Sequence, residues 1–212
     1  PTAAFSALIA APRGTMNVRL GDGGPDSTAE YTGDDNRLYR VEVHNGGTAG
    51  TATFKWSRDN ASLELEWTAQ SGSVLGVRSV NKKRPFFQPG EWAELTDRRL
   101  ELQGLPGTLV QILADDGDTL TINPDSLIHY DAAITALDIA DFGTGLRRIR
   151  RWDSVTAGRF SIPADGAYVP LEVGIEVVFS NEDFRTGDFW QIPARRINRN
   201  LEWPEDETGA YV

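Results

Sequence analysis

The chain has 212 residues, 40% hydrophobic and 25% charged, enough for one large β domain or two small ones. It holds no cysteine, which excludes disulfides, thiolate metal sites and cysteine nucleophiles. With 31 acids against 21 Lys and Arg the net charge is −10, the wrong sign for a generic nucleic-acid binder, and no apolar run approaches the roughly 18 residues of a membrane-spanning helix.

The opening PTAAFSALIAAP is too short, and has no basic residues ahead of its apolar run, for a secretory signal. Residues 1–36 are expected to form a flexible N-terminal segment. A β-rich domain is expected over 37–204. In LYRVEVH, Tyr39, Val41 and Val43 alternate with Arg40, Glu42 and His44, the pattern of a half-buried strand. TATFKWS alternates again through Phe54 and Trp56, and LELEW through Leu63, Leu65 and Trp67. The turns NGGTAG and RDNAS between them predict an antiparallel meander over 38–68.

Short strands closed by Gly or Asp follow, in SVLGVRSV, GEWAELTD, RRLELQG and GTLVQILADDGDTLTIN. Their spacing suits a small SH3-like barrel inserted over 74–125. The stretch HYDAAITALDIADF is compatible with one short helix, and LRRIRRWD sets four arginines around Ile149. YVPLEVGIEVVF alternates from Val169 to Phe179 and is expected to be one strand, with Pro170 calling for an edge position or a bulge. FRTGDFWQIPAR is expected to bend at Gly187–Asp188, fill the core with Phe189 or Trp190, end its pairing at Pro193 and leave Arg195 and Arg196 for carboxylates. Residues 205–212 form an acidic tail. The fold class is therefore all-β, a meander or sandwich carrying a small barrel, with at most one short helix.

Chemistry-bearing residues are sparse. DDGD (Asp115, Asp116, Asp118) offers clustered carboxylates for calcium, as does the loop with Asp22, Asp26, Glu30, Asp34 and Asp35, but neither has EF-hand spacing, and solvated turns explain both. No metal or other cofactor is expected. His44 and His129 stand outside any zinc motif. Glu64 and Glu66 share a strand face about 6.6 Å apart, a separation that suits glycoside hydrolysis and equally any solvated strand. Most tryptophans fit inward positions. Phe86 and Phe87, adjacent in a proline-bounded loop, are candidates for a contact surface, with Trp190 as a further aromatic candidate. Arg147, Arg148, Arg150 and Arg151 are candidates for pairing with carboxylates of this chain or of a neighbouring subunit.

Three segments in order, YRVEVHNGGTAGTATFKWSRDNAS, GEWAELTDRRLELQGLPGTLVQI and LEVGIEVVFSNEDFRTGDFWQIPAR with LEWP, span Tyr39 to Pro204. ATFKWSRDN and FRTGDFWQIPAR are their most specific parts. They resemble an uncharacterised family of large bacterial proteins encoded among genes for phage-tail-like contractile injection systems. Members usually carry a further N-terminal region, so a chain beginning at Pro1 is expected to be a processed product or a piece of a longer one. The resemblance implies a structural or attachment role beside other particle subunits, copies of itself included, in cytoplasmic assembly or on an extracellular particle. It supplies no catalytic residues. The alternatives are a glycan-binding module with an aromatic platform for a cell-surface glycan, and a hydrolase using Glu64 or another carboxylate.

Overall fold

The computed structural model describes residues 14–21, 29–78, 86–131, 133–154, 158–180 and 182–205. Asp22, Asp26, the basic run 79–85 and tail residues 206–212 lie outside them. In chain order the elements are β1 (Met16–Leu20), β2 (Arg37–Asn45), β3 (Gly47–Thr48), β4 (Thr53–Ser57), β5 (Glu64–Ser71), β6 (Val74–Arg78), β7 (Trp92–Asp97), α1 (Arg98–Gln103), β8 (Thr108–Asp115), β9 (Thr119–Ile128), a 3-10 turn at Ile139–Asp141, β10 (Arg147–Trp152), β11 (Phe160–Ser161), β12 (Val169–Pro170), β13 (Ile175–Phe179), β14 (Asp183–Phe184), β15 (Phe189–Arg195) and β16 (Asn200–Leu201). The protein is all-β.

Two bodies divide the strands. The sandwich stacks a five-stranded sheet, ordered β11-β4-β2-β15-β16, on a three-stranded sheet, β1-β13-β12, with the pair β14–β3 at its margin. Its core is the inward set of the sequence pattern: Tyr39, Val41 and Val43 of β2, Phe54 and Trp56 of β4 and Ile192 of β15 meet Val18 of β1 and Val177 and Phe179 of β13. The second body is a closed antiparallel barrel, β10-β5-β6-β9-β8-β7. Leu65, Trp67, Leu75, Leu95, Ile112, Leu120 and Ile149 fill it. Closure leaves the barrel without a free edge.

Several local expectations change. β5 does not complete a meander with β4: it pairs with β6 and β10 and opens the barrel, whose strands run from Glu64 to Trp152. The N-terminal stretch contributes an ordered strand, because Met16 and Val18 bury against β13. The alternating run 169–179 is a hairpin. Val173 (φ 45°) and Gly174 (φ 86°) reverse the chain, and Val169 pairs with Val177. Paired positions lie an even number of residues apart, with an odd number between them, so the alternation runs unbroken through the turn and hides it from a period-two reading. Pro170 does lie on an edge strand, β12, where a missing N–H costs no ladder bond.

The short helix falls at Arg98–Gln103, expected to be strand, and the described residues of 127–152 hold the end of β9, the 3-10 turn and β10. Asp97 caps α1 by accepting from the Leu100 N–H at 2.7 Å, and Gly104, at φ 65°, ends it in the left-handed conformation. The other Asp97 oxygen accepts from the Gly143 N–H and ties down the loop that enters β10. Asp97→Ala should therefore cost about 1–2 kcal/mol, read as a lowered thermal midpoint. A midpoint within error of the wild type would show that neither bond matters to stability.

Candidate functional site

A strand of a sheet has two faces, and the second face of β2 and β4 carries a cluster of buried charged side chains. The sequence assigns Glu42, His44, Lys55 and Ser57 to solvent. The barrel covers them instead, and all four are buried. The covering surface is β7, buried along its whole length. Ala93 and Leu95 point into the barrel while Trp92, Glu94 and Thr96 face outward toward the sandwich. A register irregularity between Val43 and Asn45 sets His44 in a bulge, where a side chain is re-aimed.

The seam so formed is ionic. Lys55 Nζ donates to Glu94 Oε1 and lies 3.2 Å from Glu42 Oε1. Trp152 Nε1 donates to Glu94 Oε2 at 3.0 Å, and the Gly107 N–H donates to Glu94 Oε1 at 3.2 Å. Arg40 holds the other oxygen of Glu42 at 2.6 Å. Lys55 also sits 4.5 Å from the centre of the Trp152 ring, an aromatic wall that favours a cation. His44 Nδ1 lies 3.6 Å from Glu94 Oε1, beyond hydrogen-bonding distance, and neither ring nitrogen has a partner among the described residues.

Burial would push the Glu94 carboxyl up, but the Lys55 cation and the neighbouring imidazole outweigh it and hold Glu94 well below the usual carboxylate range. The opposite balance governs His44. Burial and the nearby Lys55 and Arg159 cations outweigh Glu94 and lower its pKa to about 4. The imidazole is therefore neutral at pH 7, between a fixed anion and a fixed cation.

A cleft of about 190 Å³ opens onto this seam between the loop at Gly104–Gly107 and the turn at Thr186–Gly187. Lys55, Glu94 and Arg150 line it, and each is engaged within the chain. The arrangement is a clamp: opposite charges from the sandwich and the barrel meet at side chains that are both buried.

The residues singled out from the sequence take architectural positions. Arg150 pairs with Glu64 through Nε and Nη2 at 3.2 and 2.9 Å. Arg148 bonds Glu101 of α1, and Arg151 reaches Asp59 at 2.9 Å. Arg147 stands across from Asp97 in the ladder, its Nε without a partner among the described residues. The arginine run thus staples β10 to β5, to α1 and to the turn after β4. Glu64 and Glu66 are occupied by these pairings, the latter by Arg78 at 2.8 Å. Phe87 is buried in the barrel core, and Phe86, half-buried, packs against that core. Their two N–H groups are held by Asp115 Oδ2, at 2.6 and 2.9 Å, while Asp115 Oδ1 caps the Gly117 N–H. Asp115 is thereby committed to backbone, and Asp116 and Asp118 belong to no metal-ligand group among the described residues.

Trp190 lies edge-on to Phe179 and Phe184 at the rim of the sandwich core. Its neighbour Phe189 is the exposed one, with the Arg40 guanidinium 3.6 Å from its ring centre. Pro193 does not end the pairing: β15 continues to Arg195, which pairs with Glu202 through two bonds. His129 stacks on Tyr130 near the surface. Sequence reasoning missed Lys55, Glu94 and the burial of His44. Little in the sequence signals them: Lys55 and Glu94 alternate with the core residues of their strands and so occupy the register of any solvated charge.

The model of a family of unknown function, DUF6519, matches residues 25–211. No curated protein and no solved structure matches the chain. The chain belongs to the DUF6519 family.

Proposed function

Starting from membership of that family, we propose that the chain is a non-enzymatic contact module, a structural or attachment part of a phage-tail-like contractile particle that works through protein–protein contacts. One observation carries this reading: among the described residues, Glu64, Glu66, Arg148, Arg150 and Arg151 are paired within the chain, and the Lys55–Glu94 pair joins barrel to sandwich. Such pairing makes a scaffold rigid and leaves its surface to do the work. The three segments resembling particle-associated proteins supply the setting.

Large apolar side chains remain in water for that purpose. Leu102 of α1 and Leu146, next to the Arg147–Asp97 pair that enters β10, stand at the same end of the barrel. Ile197 projects from the turn between β15 and β16. Exposed aliphatic residues of this kind suit a neighbouring subunit.

Electron microscopy of particles purified from strains with and without the gene tests the proposal. The expected result is density matching a barrel beside a sandwich, lost on deletion. An unchanged particle with no such density overturns it.

A further inference from the structure

At the centre of the seam a lysine amine and a glutamate carboxyl from different bodies are held in contact, and their surroundings supply what amide formation needs. We propose that Lys55 Nζ and Glu94 Cδ close an isopeptide bond, a covalent cross-link between sandwich and barrel that the chain forms by itself.

The first reason is position. Lys55 of β4 donates to Glu94 Oε1 of β7, and the two side chains keep only 3% and 5% of their surface exposed. A nucleophile held beside its electrophile gains the effective concentration of an intramolecular reaction. Burying two charges also carries a desolvation penalty, and a neutral amide has neither charge to desolvate. Burial therefore tilts the balance from the ionised pair toward the amide. Lys55 Nζ stands 4.5 Å from the centre of the Trp152 ring, an apolar wall, and the adjoining cleft of about 190 Å³ gives released water a way out.

The second reason is the set of groups that move protons and hold charge. Glu42 Oε1 lies 3.2 Å from Lys55 Nζ, close enough to take a proton from the amine and pass it on. Trp152 Nε1 donates to Glu94 Oε2 at 3.0 Å, the oxygen on which negative charge develops when nitrogen adds to the carboxyl carbon.

The step balances without a co-reactant. The Lys55 ammonium passes one proton to Glu94 Oε1, and the freed lone pair of nitrogen attacks Cδ. The C=O electrons move onto Oε2, under the Trp152 N–H. Glu42 takes a second proton from nitrogen and returns it to Oε1, which leaves as water with the electron pair of its bond to Cδ. The carbonyl re-forms at Oε2, the third proton stays on the amide nitrogen, and Glu42 is a carboxylate again. Proton transfer from ammonium to carboxylate runs against the ordinary order of their pKa values, about 10.4 and 4.3. The bond therefore closes slowly, and the freshly folded chain holds the ion pair described above.

The link does not depend on the particle reading, since it forms within one chain. The test follows the intact mass of the whole purified chain through a week at physiological temperature, then digests it with trypsin. The folded chain should become lighter by one water molecule. Digestion should return the peptide of Lys55 joined to that of Glu94, uncut at Lys55. Glu94→Gln should give the same link with loss of ammonia in place of water. Glu42→Gln should close it about a hundredfold more slowly, and Lys55→Arg, which keeps the cation, should keep its full mass. A wild-type mass that never changes overturns the proposal. So does a water loss that persists in Lys55→Arg, or one that maps to an Asp-Gly turn such as Asp116–Gly117 instead of this pair.

Discussion

Glu94→Ala is expected to destabilise the protein by about 3–5 kcal/mol, read as a fall in the urea midpoint at an unchanged slope. Glu94 is one of the most enclosed charges in the chain, and it accepts from Lys55, Trp152 and the Gly107 N–H at once. Alanine leaves the Lys55 cation buried with Glu42 alone, and Glu42 is already shared with Arg40. It also strands the Trp152 indole N–H in a dry seam. The loss is a large part of the roughly 5–15 kcal/mol by which domains are stable. The double variant Lys55→Met/Glu94→Met separates the two contributions, since replacing both charges by apolar chains removes the desolvation penalty as well as the attraction. It should recover most of the loss. A single-variant loss below about 1 kcal/mol would mean that the pair behaves as an exposed salt bridge and that the clamp does not join the two bodies.

How much of this was legible beforehand follows from what period-two alternation encodes. It reports which side chains share a face, so Tyr39, Val41 and Val43 against Phe54 and Trp56 announced the sandwich core correctly. It does not report what covers the other face. Glu42, His44 and Lys55 look solvated until β7, some forty residues on, folds over them. The barrel was visible because its turns are closely spaced, but its first and last strands were not. β5 follows β4 after a short turn and has the same pattern, whether it pairs back or leaves for another body. α1 is six residues long, too short for a helical period to emerge, although Asp97 and Gly104 mark its two ends in the sequence. The hairpin at Val173–Gly174 escaped for a different reason. Its signal was a single glycine, since a β-branched residue is a poor choice for positive φ and Val173 adopts one all the same.

Acidification should loosen the seam through His44 before Glu94 takes up a proton. The pKa of His44 is near 4 in the folded protein, against about 6.5 in an unfolded chain. The unfolded state therefore binds the proton more readily, and stability falls with pH across that window. The contribution is complete above pH about 6.5 and is lost progressively as the pH drops to about 4, for a total of about 3 kcal/mol. Burial, Lys55 and Arg159 oppose protonation, and only Glu94 favours it. Glu94 works in the reverse sense. Its depressed pKa stabilises the fold above the unfolded carboxyl value of about 4.3 and fails only below it, so the two windows barely overlap. Urea unfolding at pH 7.0 and 4.5 distinguishes them, with the wild type losing about 2 kcal/mol between the two. His44→Leu should keep nearly full stability at pH 7.0, because the imidazole nitrogens make no hydrogen bond among the described residues, and should show little of the acid loss. If wild type and variant weaken in parallel, the acid response belongs to other groups and His44 is a filler of the bulge rather than the seam's titrating element.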